Sequence, residues 1–238
     1  MRLCWLLGLL LVIAAPAGAQ EGVDALVGGA ELGTRSVQLI ALITILSLVP
    51  GIAVMVTCFP FVVTVLSILR QAIGLQSAPP NMVIVSLAMF LSWFIMDPVL
   101  TEAWNRGAGP YSRGEMTLTE AIPVTVQPFR SFMAGRVDPD TFAEMQALRP
   151  GEISAAAEAP LSLLVPSFLL SEIQRAFEIG FLIFLPFLII DLVVAAVLMS
   201  MGMMMVPPAI VSLPFKLAFF VVADGWGLLS SALVRSYF

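Results

Sequence analysis

Leu198-Met-Ser-Met-Gly-Met-Met-Met-Val-Pro-Pro208 stands between two long apolar runs. Pro207 and Pro208 cannot carry a helix on from the residue before them, because proline lacks an N–H and pushes its predecessor out of the α region. The chain therefore breaks and turns back here, and the flanking runs become the limbs of a helical hairpin. Met199, Met201, Met203, Met204 and Met205 crowd the break around Gly202. Methionine is unbranched, polarizable and loose in its rotamers. In an ordinary core such residues only fill gaps. At a break between apolar helices they suit a deformable collar that seals a pore and reshapes around what passes.

Outward from this turn the whole chain is apolar. It is 60% hydrophobic and 11% charged, with mean hydropathy +1.02, against about 45–50% and about 25% in soluble domains. The composition is that of a membrane protein. A net charge of −5 argues against nucleic-acid binding, which needs basic patches. The absence of histidine removes imidazole catalysis, His-ligated metals and a Ser-His-Asp arrangement. No metal cluster or phosphate loop stands out, so neither an enzyme nor a cofactor is expected.

The N-terminus reads as a secretory signal over residues 1–19. Arg2 supplies the positive end, Leu3 to Ala14 the apolar core, and Ala17-Gly18-Ala19 a small-x-small cleavage site. The alternative is an uncleaved first membrane helix, but the core is short of the roughly 20 residues a span needs. Cleavage would remove Cys4, leave Cys58 as a small buried hydrophobe, and place the mature N-terminus outside the cytoplasm. The five arginines of residues 99–160 point the other way on a positive-inside count. That conflict suggests hairpins that are not ordinary spans.

The fold expected is all-α and membrane-associated, with two kinked helical hairpins and a small helical periplasmic insert. Residues 20–36 are a flexible arm. Residues 37–98 form the first hairpin, kinked or split by Pro50-Gly51 and Pro60 and bent at its tip by Pro79 and Pro80. Asn81 is placed to cap its second helix, which stops at Asp97-Pro98. Residues 99–160 are the charged, water-facing insert and hold helices starting near Thr117 and at Asp138-Pro139. Residues 161–238 form the second hairpin, with the Met-rich loop at 199–206, tip prolines Pro207 and Pro208, and a single return helix over 209–234 bent near Pro214.

Charges inside the apolar runs need partners, because each costs at least about 2.5 kcal/mol on insertion scales. Asp191 and Lys216 interrupt such runs, Asp224 follows, and Lys216 is the only lysine. Glu172, Glu178, Asp191 and Asp224 are the available partners of Lys216. The expected contact is Lys216 with Glu172, across a subunit boundary or within the chain, as a structural ion pair. A proton relay, or an acid site built from Asp191 and Asp224, is the weaker alternative.

Several strings carry a resemblance. Ser77-Ala-Pro-Pro-Asn81, Phe94-Ile-Met-Asp-Pro98, Phe177-Glu-Ile-Gly-Phe181, Leu185-Pro-Phe-Leu-Ile-Ile-Asp-Leu192, Met201-Gly-Met-Met-Met-Val-Pro-Pro208, Leu213-Pro-Phe-Lys-Leu217 and Val222-Ala-Asp-Gly-Trp226 are similar to the FliP family. FliP is the flagellar type III export-gate protein, related to SctR of virulence systems. The resemblance implies a homo-oligomer, a pentamer, assembled with FliQ-like and FliR-like subunits. It implies work with FlhA-like and FlhB-like export components and passage of unfolded flagellar substrates. It places the chain in the bacterial inner membrane and flagellar basal body, partly periplasmic. It makes Met201, Met203, Met204 and Met205 the pore gasket. One departure stands out: many members of that family carry Ser/Thr-Phe-Thr-Arg where this chain has Cys58-Phe59-Pro60-Phe61, so that arginine's contacts do not transfer. A secondary transporter or small-ion channel, with broken helices and midplane charges, is the competing reading.

Overall fold

The computed structural model describes residues 30–75, 78–148, 155–203 and 205–238. The expected signal peptide, residues 20–29 of the expected arm, Ser77 and Met204 lie outside the described residues. Among those described, all regular structure is helical. The chain divides into two units, one up to Gly51 and one from Ile52.

Helix α1 spans Ala30–Met55; its residues up to Gly51 make up the described part of the first unit, and its last turn belongs to the second. The expectation of an arm reaching residue 36 is corrected: residues 30–36 are helical. Their polar composition does not forbid a helix, and the apolar run that follows propagates one once nucleated. Pro50 lies inside α1 without ending it. An interior proline deletes one i→i−4 bond, and a long helix tolerates that loss.

In the second unit α2 spans Phe59–Ile73, with Pro60 in its first turn. Helix α3 spans Asn81–Ala103 and follows Pro80. Asn81 is the first helical residue and not the cap; its Oδ1 accepts from Arg70 Nη1, which ties the end of α2 to the start of α3. The expected stop at Asp97-Pro98 is also corrected. Pro98 sits inside α3, and the helical run continues through a π-turn, Trp104–Ala108, into α4, Gly109–Ser112. Helix α5, Leu118–Arg136, begins at Thr117, where Glu120 Oε2 accepts the Thr117 N–H at 2.9 Å. Helix α6, Pro139–Ala147, is capped by Asp138 Oδ1, which accepts the Thr141 N–H at 2.9 Å.

Helix α7 runs unbroken over 40 residues, Leu161–Ser200. The single return helix is instead two: α8, Pro208–Val222, and α9, Gly225–Arg235, bent by 61°. The break falls at Asp224, not Pro214. Asp224 has φ 48°, and a Cβ on Gly225 would lie 2.1 Å from the Phe220 ring. A left-handed residue followed by a glycine turned tightly onto an aromatic ends a helix more surely than an interior proline. Two helical runs, Asn81–Ser112 and Leu161–Ser200, are long and apolar enough to cross a membrane.

The core forms around α2. Phe61, Val62, Val65, Leu66, Leu69, Ala72 and Ile73 are buried, a stripe at helical spacing. They pack against α7, α3 and α8. Gly180 sets the closeness of α2 and α7: a Cβ there would stand 2.4 Å from Ile68 Cδ1. Gly180→Ala is expected to lower stability by about 1–3 kcal/mol through overpacking. Ile68→Val, which removes that Cδ1, should recover part of the loss in the double variant. Chemical unfolding of the detergent-purified chain checks both.

The two cap carboxylates give a pH prediction. The Thr117 backbone N–H and hydroxyl hold Glu120 below its ordinary value of 4.5. The Thr141 N–H and hydroxyl hold Asp138 below 3.8. A carboxylate depressed in the folded state stabilises above its unfolded pKa and loses that contribution as pH falls through its folded value. The first turns of α5 and α6 should therefore lose protection, relative to intrinsic exchange, only below about pH 4. Amide exchange measured at pH 6 and pH 3 checks it.

Candidate functional site

The Met-rich turn has a defined backbone. Helix α7 ends at Ser200, and Gly202 takes the left-handed conformation with φ 74°. The Met203 N–H donates to the Leu198 carbonyl at 3.0 Å and the Gly202 N–H to the Met199 carbonyl at 3.0 Å. These bonds form a Schellman ending, which satisfies the last carbonyls of a helix and favours glycine at this place. Pro208 then opens α8 in its first turn, where a missing N–H costs nothing. On this frame the methionines project outward: Met199, Met201 and Met205 are 60%, 65% and 97% exposed, and Met203 is 37% exposed. Below the turn, α7 and α8 enclose an apolar groove of about 540 Å³, lined by Val193, Val197, Leu198, Met201, Val211 and Phe215 among others.

The expected pairing of Lys216 with Glu172 is not found within the chain. Lys216 Nζ stands 2.5 Å from Asp191 Oδ2 and donates to the Ala72 carbonyl at 3.1 Å. The buried Ser212 hydroxyl donates to Asp191 Oδ1 at 2.5 Å. One ammonium thus joins α7, α8 and the C-terminal end of α2, where a cation also meets the negative end of the helix dipole. A signal for this pair was present. Asp191 lies nine residues before the end of α7 and Lys216 eight after the start of α8. In an antiparallel hairpin such residues face each other. Glu172, 28 residues before the same end, lies beyond the reach of the 15-residue α8.

Glu172 forms a separate cluster and is completely buried. Its Oε1 accepts from Arg136 Nε at 3.1 Å and Arg175 Nη1 at 3.4 Å, and its Oε2 accepts from the Tyr237 hydroxyl. Arg136 also donates to the Ser236 carbonyl at 2.7 Å and lies over the Tyr237 ring at 4.0 Å. Burial, and then the neighbouring Glu172 charge, push the Tyr237 phenol well above its ordinary range. It therefore stays a donor. Arg175 was legible as the i+3 neighbour of Glu172; Arg136 and Tyr237 were not, because only the tertiary fold brings them there. Asp224 makes no ion pair among the described residues and marks the α8–α9 break. Phe61, the last residue of the Cys58–Phe61 string, is fully buried and meets Tyr237 edge-on at 5.6 Å. Pro79 and Pro80 precede α3, as Pro207 and Pro208 precede and open α8.

The FliP family pattern matches residues 42–233. The chain belongs to the FliP family. It is 49% identical over 228 residues to the flagellar biosynthetic protein FliP of Caulobacter vibrioides, covering 95% of this chain and 86% of that protein. It is 45% identical over 204 residues to that of Rhizobium meliloti, covering 84% and 83%. With that of Bacillus subtilis it shares 43% identity over 205 residues, covering 86% and 93%. The family match includes the methionine turn and Glu172, Asp191, Lys216 and Asp224, whereas Tyr237 lies past its end.

Removing one side of a buried ion pair typically costs about 3–5 kcal/mol. Glu172→Ala is expected in that range, because it strands Arg136. Tyr237→Phe should cost less, about 1.5–3 kcal/mol for a hydrogen bond to a charge. Asp224→Asn, which keeps a residue tolerant of the left-handed conformation, should be near neutral. Equilibrium unfolding in detergent ranks the three.

Proposed function

We propose that this chain is a core subunit of the flagellar protein-export gate. Its relatives are named flagellar biosynthetic proteins, and membership of the family makes it a structural component of the export apparatus and not an enzyme. Copies assemble around a central path, in the bacterial inner membrane and partly in the periplasm, with FliQ-like and FliR-like subunits. FlhA-like and FlhB-like components supply and drive unfolded flagellar proteins through it. The methionine turns meet on the axis and close it.

The exposure of the methionines on a hydrogen-bonded turn carries this reading. An apolar tip held out by a fixed backbone gains by meeting other apolar surface, and copies of the same tip provide it. Thioether side chains pack together without leaving polar atoms for water or ions to follow. They then change rotamer, at little cost, around varied sequences. The charges below suit a static frame better than an ion path: both oxygens of Asp191 accept from within the chain, from Lys216 and Ser212.

Deleting Met203–Met205 is expected to leave the assembly intact and to raise ion leakage through it. Planar-bilayer conductance of the purified complex checks this, and an unchanged conductance in the deletion refutes the gasket.

A further inference from the structure

Helix α9 has a charge at each end, and neither is used within the chain. Asp224 stands before its first turn and Arg235 closes its last. Both are exposed, and neither makes an ion pair among the described residues. Arg235 is unusual in this. Arg70, Arg106, Arg113, Arg130, Arg136 and Arg175 each donate to an oxygen of this chain. Part of the arrangement is ordinary, since an acid suits the start of a helix dipole and a base its end. Yet the Asp224 carboxylate makes no cap bond to α9. It lies instead over Gly227, where a Cβ would stand 2.4 Å from Oδ2. The bare glycine gives the carboxylate a seat and leaves its acceptors unspent.

The two charges cannot meet each other. Helix α9 is 11 residues long, roughly 16 Å at 1.5 Å per residue. Both of its ends are pinned. Trp226 meets Phe220 edge-on at 5.4 Å, while Leu233 is buried and the Ser236 carbonyl accepts from Arg136. The helix leaves α8 at 61°, so most of its length, roughly 14 Å, runs across α8 and not along it. The acid and the base are thus set apart sideways. Each has uncovered hydrocarbon next to it: Val221 and Val222 are 74% and 88% exposed beside Asp224, and Phe238 is 77% exposed beside Arg235. A partner that covers these side chains also removes water from the charge, and so strengthens its pairing. Acyl chains bring no charge to either end. A second copy of this chain brings both halves, a base for the acid and an acid for the base. Such a head-to-tail contact is heterologous, and its repetition closes into a ring.

We propose that Asp224 of one copy pairs with Arg235 of the next, so that α9 follows α9 around the assembly. The proposal rests on the self-assembly put forward above and is independent of the methionine turn. A Met203–Met205 deletion that fails to leak would remove the gasket and leave this contact standing.

Cysteine crosslinking in native membranes tests the geometry. In a Cys4→Ser background, with Cys58 buried, one tagged chain carries Asp224→Cys and a differently tagged chain carries Arg235→Cys. The two are co-expressed and treated with a bifunctional thiol reagent longer than a disulfide, which bridges Cα atoms only within about 7 Å. The expected adduct bears both tags and maps to residues 224 and 235. Either cysteine alone should give no dimer, and both in one chain should give a ladder. A double-mutant cycle tests the charge. Asp224→Asn and Arg235→Gln should each lower the fraction of chain in the assembly about five- to tenfold on native gels, the scale of one interfacial ion pair. The double variant should lose no more than either single. Neither change should alter unfolding of the single chain, as a role confined to the dipole of α9 would. A dimer from one cysteine alone, an adduct to a different protein, additive losses in the double variant or an assembly indifferent to both changes overturns the proposal. No adduct from an assembly that still holds several copies strikes this contact and leaves the export-gate reading. A chain found as a single copy among its partners strikes both.

Discussion

Glu172 has no access to solvent, and its charge has to be met from within. A carboxylate stranded in an apolar interior costs several kcal/mol even after relaxation. Three side chains from three separate segments meet it: Arg136 at the end of α5, Arg175 on α7 itself and Tyr237 beyond α9. The consequence is geometric. To satisfy Glu172, α5 has to end against α7, and the chain after α9 has to return to the same place. Tyr237 then reaches the core through Phe61 and Phe132, at 5.6 and 6.0 Å between rings. Arg136 joins both tasks, since it touches Glu172, the Ser236 carbonyl and the Tyr237 ring at once. One buried charge therefore fixes the junction of the charged insert, the long helix and the last segment.

The apolar surplus follows from the same architecture. The α2 stripe is spent on α7, α3 and α8. The far ends of α7 and α8 have mainly each other, and Leu192, Val193, Val197, Ile210 and Phe215 remain exposed. Burying such surface is worth about 25 cal/mol per Å² removed from water. A chain that leaves this much uncovered is built to be finished by membrane or by other chains. The ion pair of Lys216 and Asp191 sits where the supported part of this hairpin ends. It fixes the base of the arm, and the methionine turn stands beyond it.

Local chemistry was readable from the sequence, and distant chemistry was not. Thr117 with Glu120, and Asp138 followed by Pro139, start helices because each contains its own cap within a few residues. The break before Phe59 follows from Pro60, and the turn after Ser200 from Gly202 and the prolines that follow it. Asp97-Pro98 misled because a helix already under way absorbs one lost hydrogen bond. Asp224-Gly225 leaves no mark in the periodicity, because its signal is a left-handed backbone. For Lys216 the correct partner was among the candidates. The register that the turn imposes on α7 and α8 selects Asp191 and puts Glu172 out of reach.

The methionine turn combines opposite properties in adjacent atoms. Its backbone is committed: the carbonyls of Leu198 and Met199 are paired and Gly202 is locked at positive φ. Its side chains are not committed, since Met199, Met201 and Met205 touch little of their own chain. A seal needs both. Were the backbone loose, each copy would present its tip at a different height and the closure would leak. Were the side chains branched or aromatic, they would hold one packing and resist a passing chain of changing sequence. In the proposed gate, flexible thioethers on a ring of such turns would close by dispersion alone and open again without any hydrogen bond or ion pair having to break.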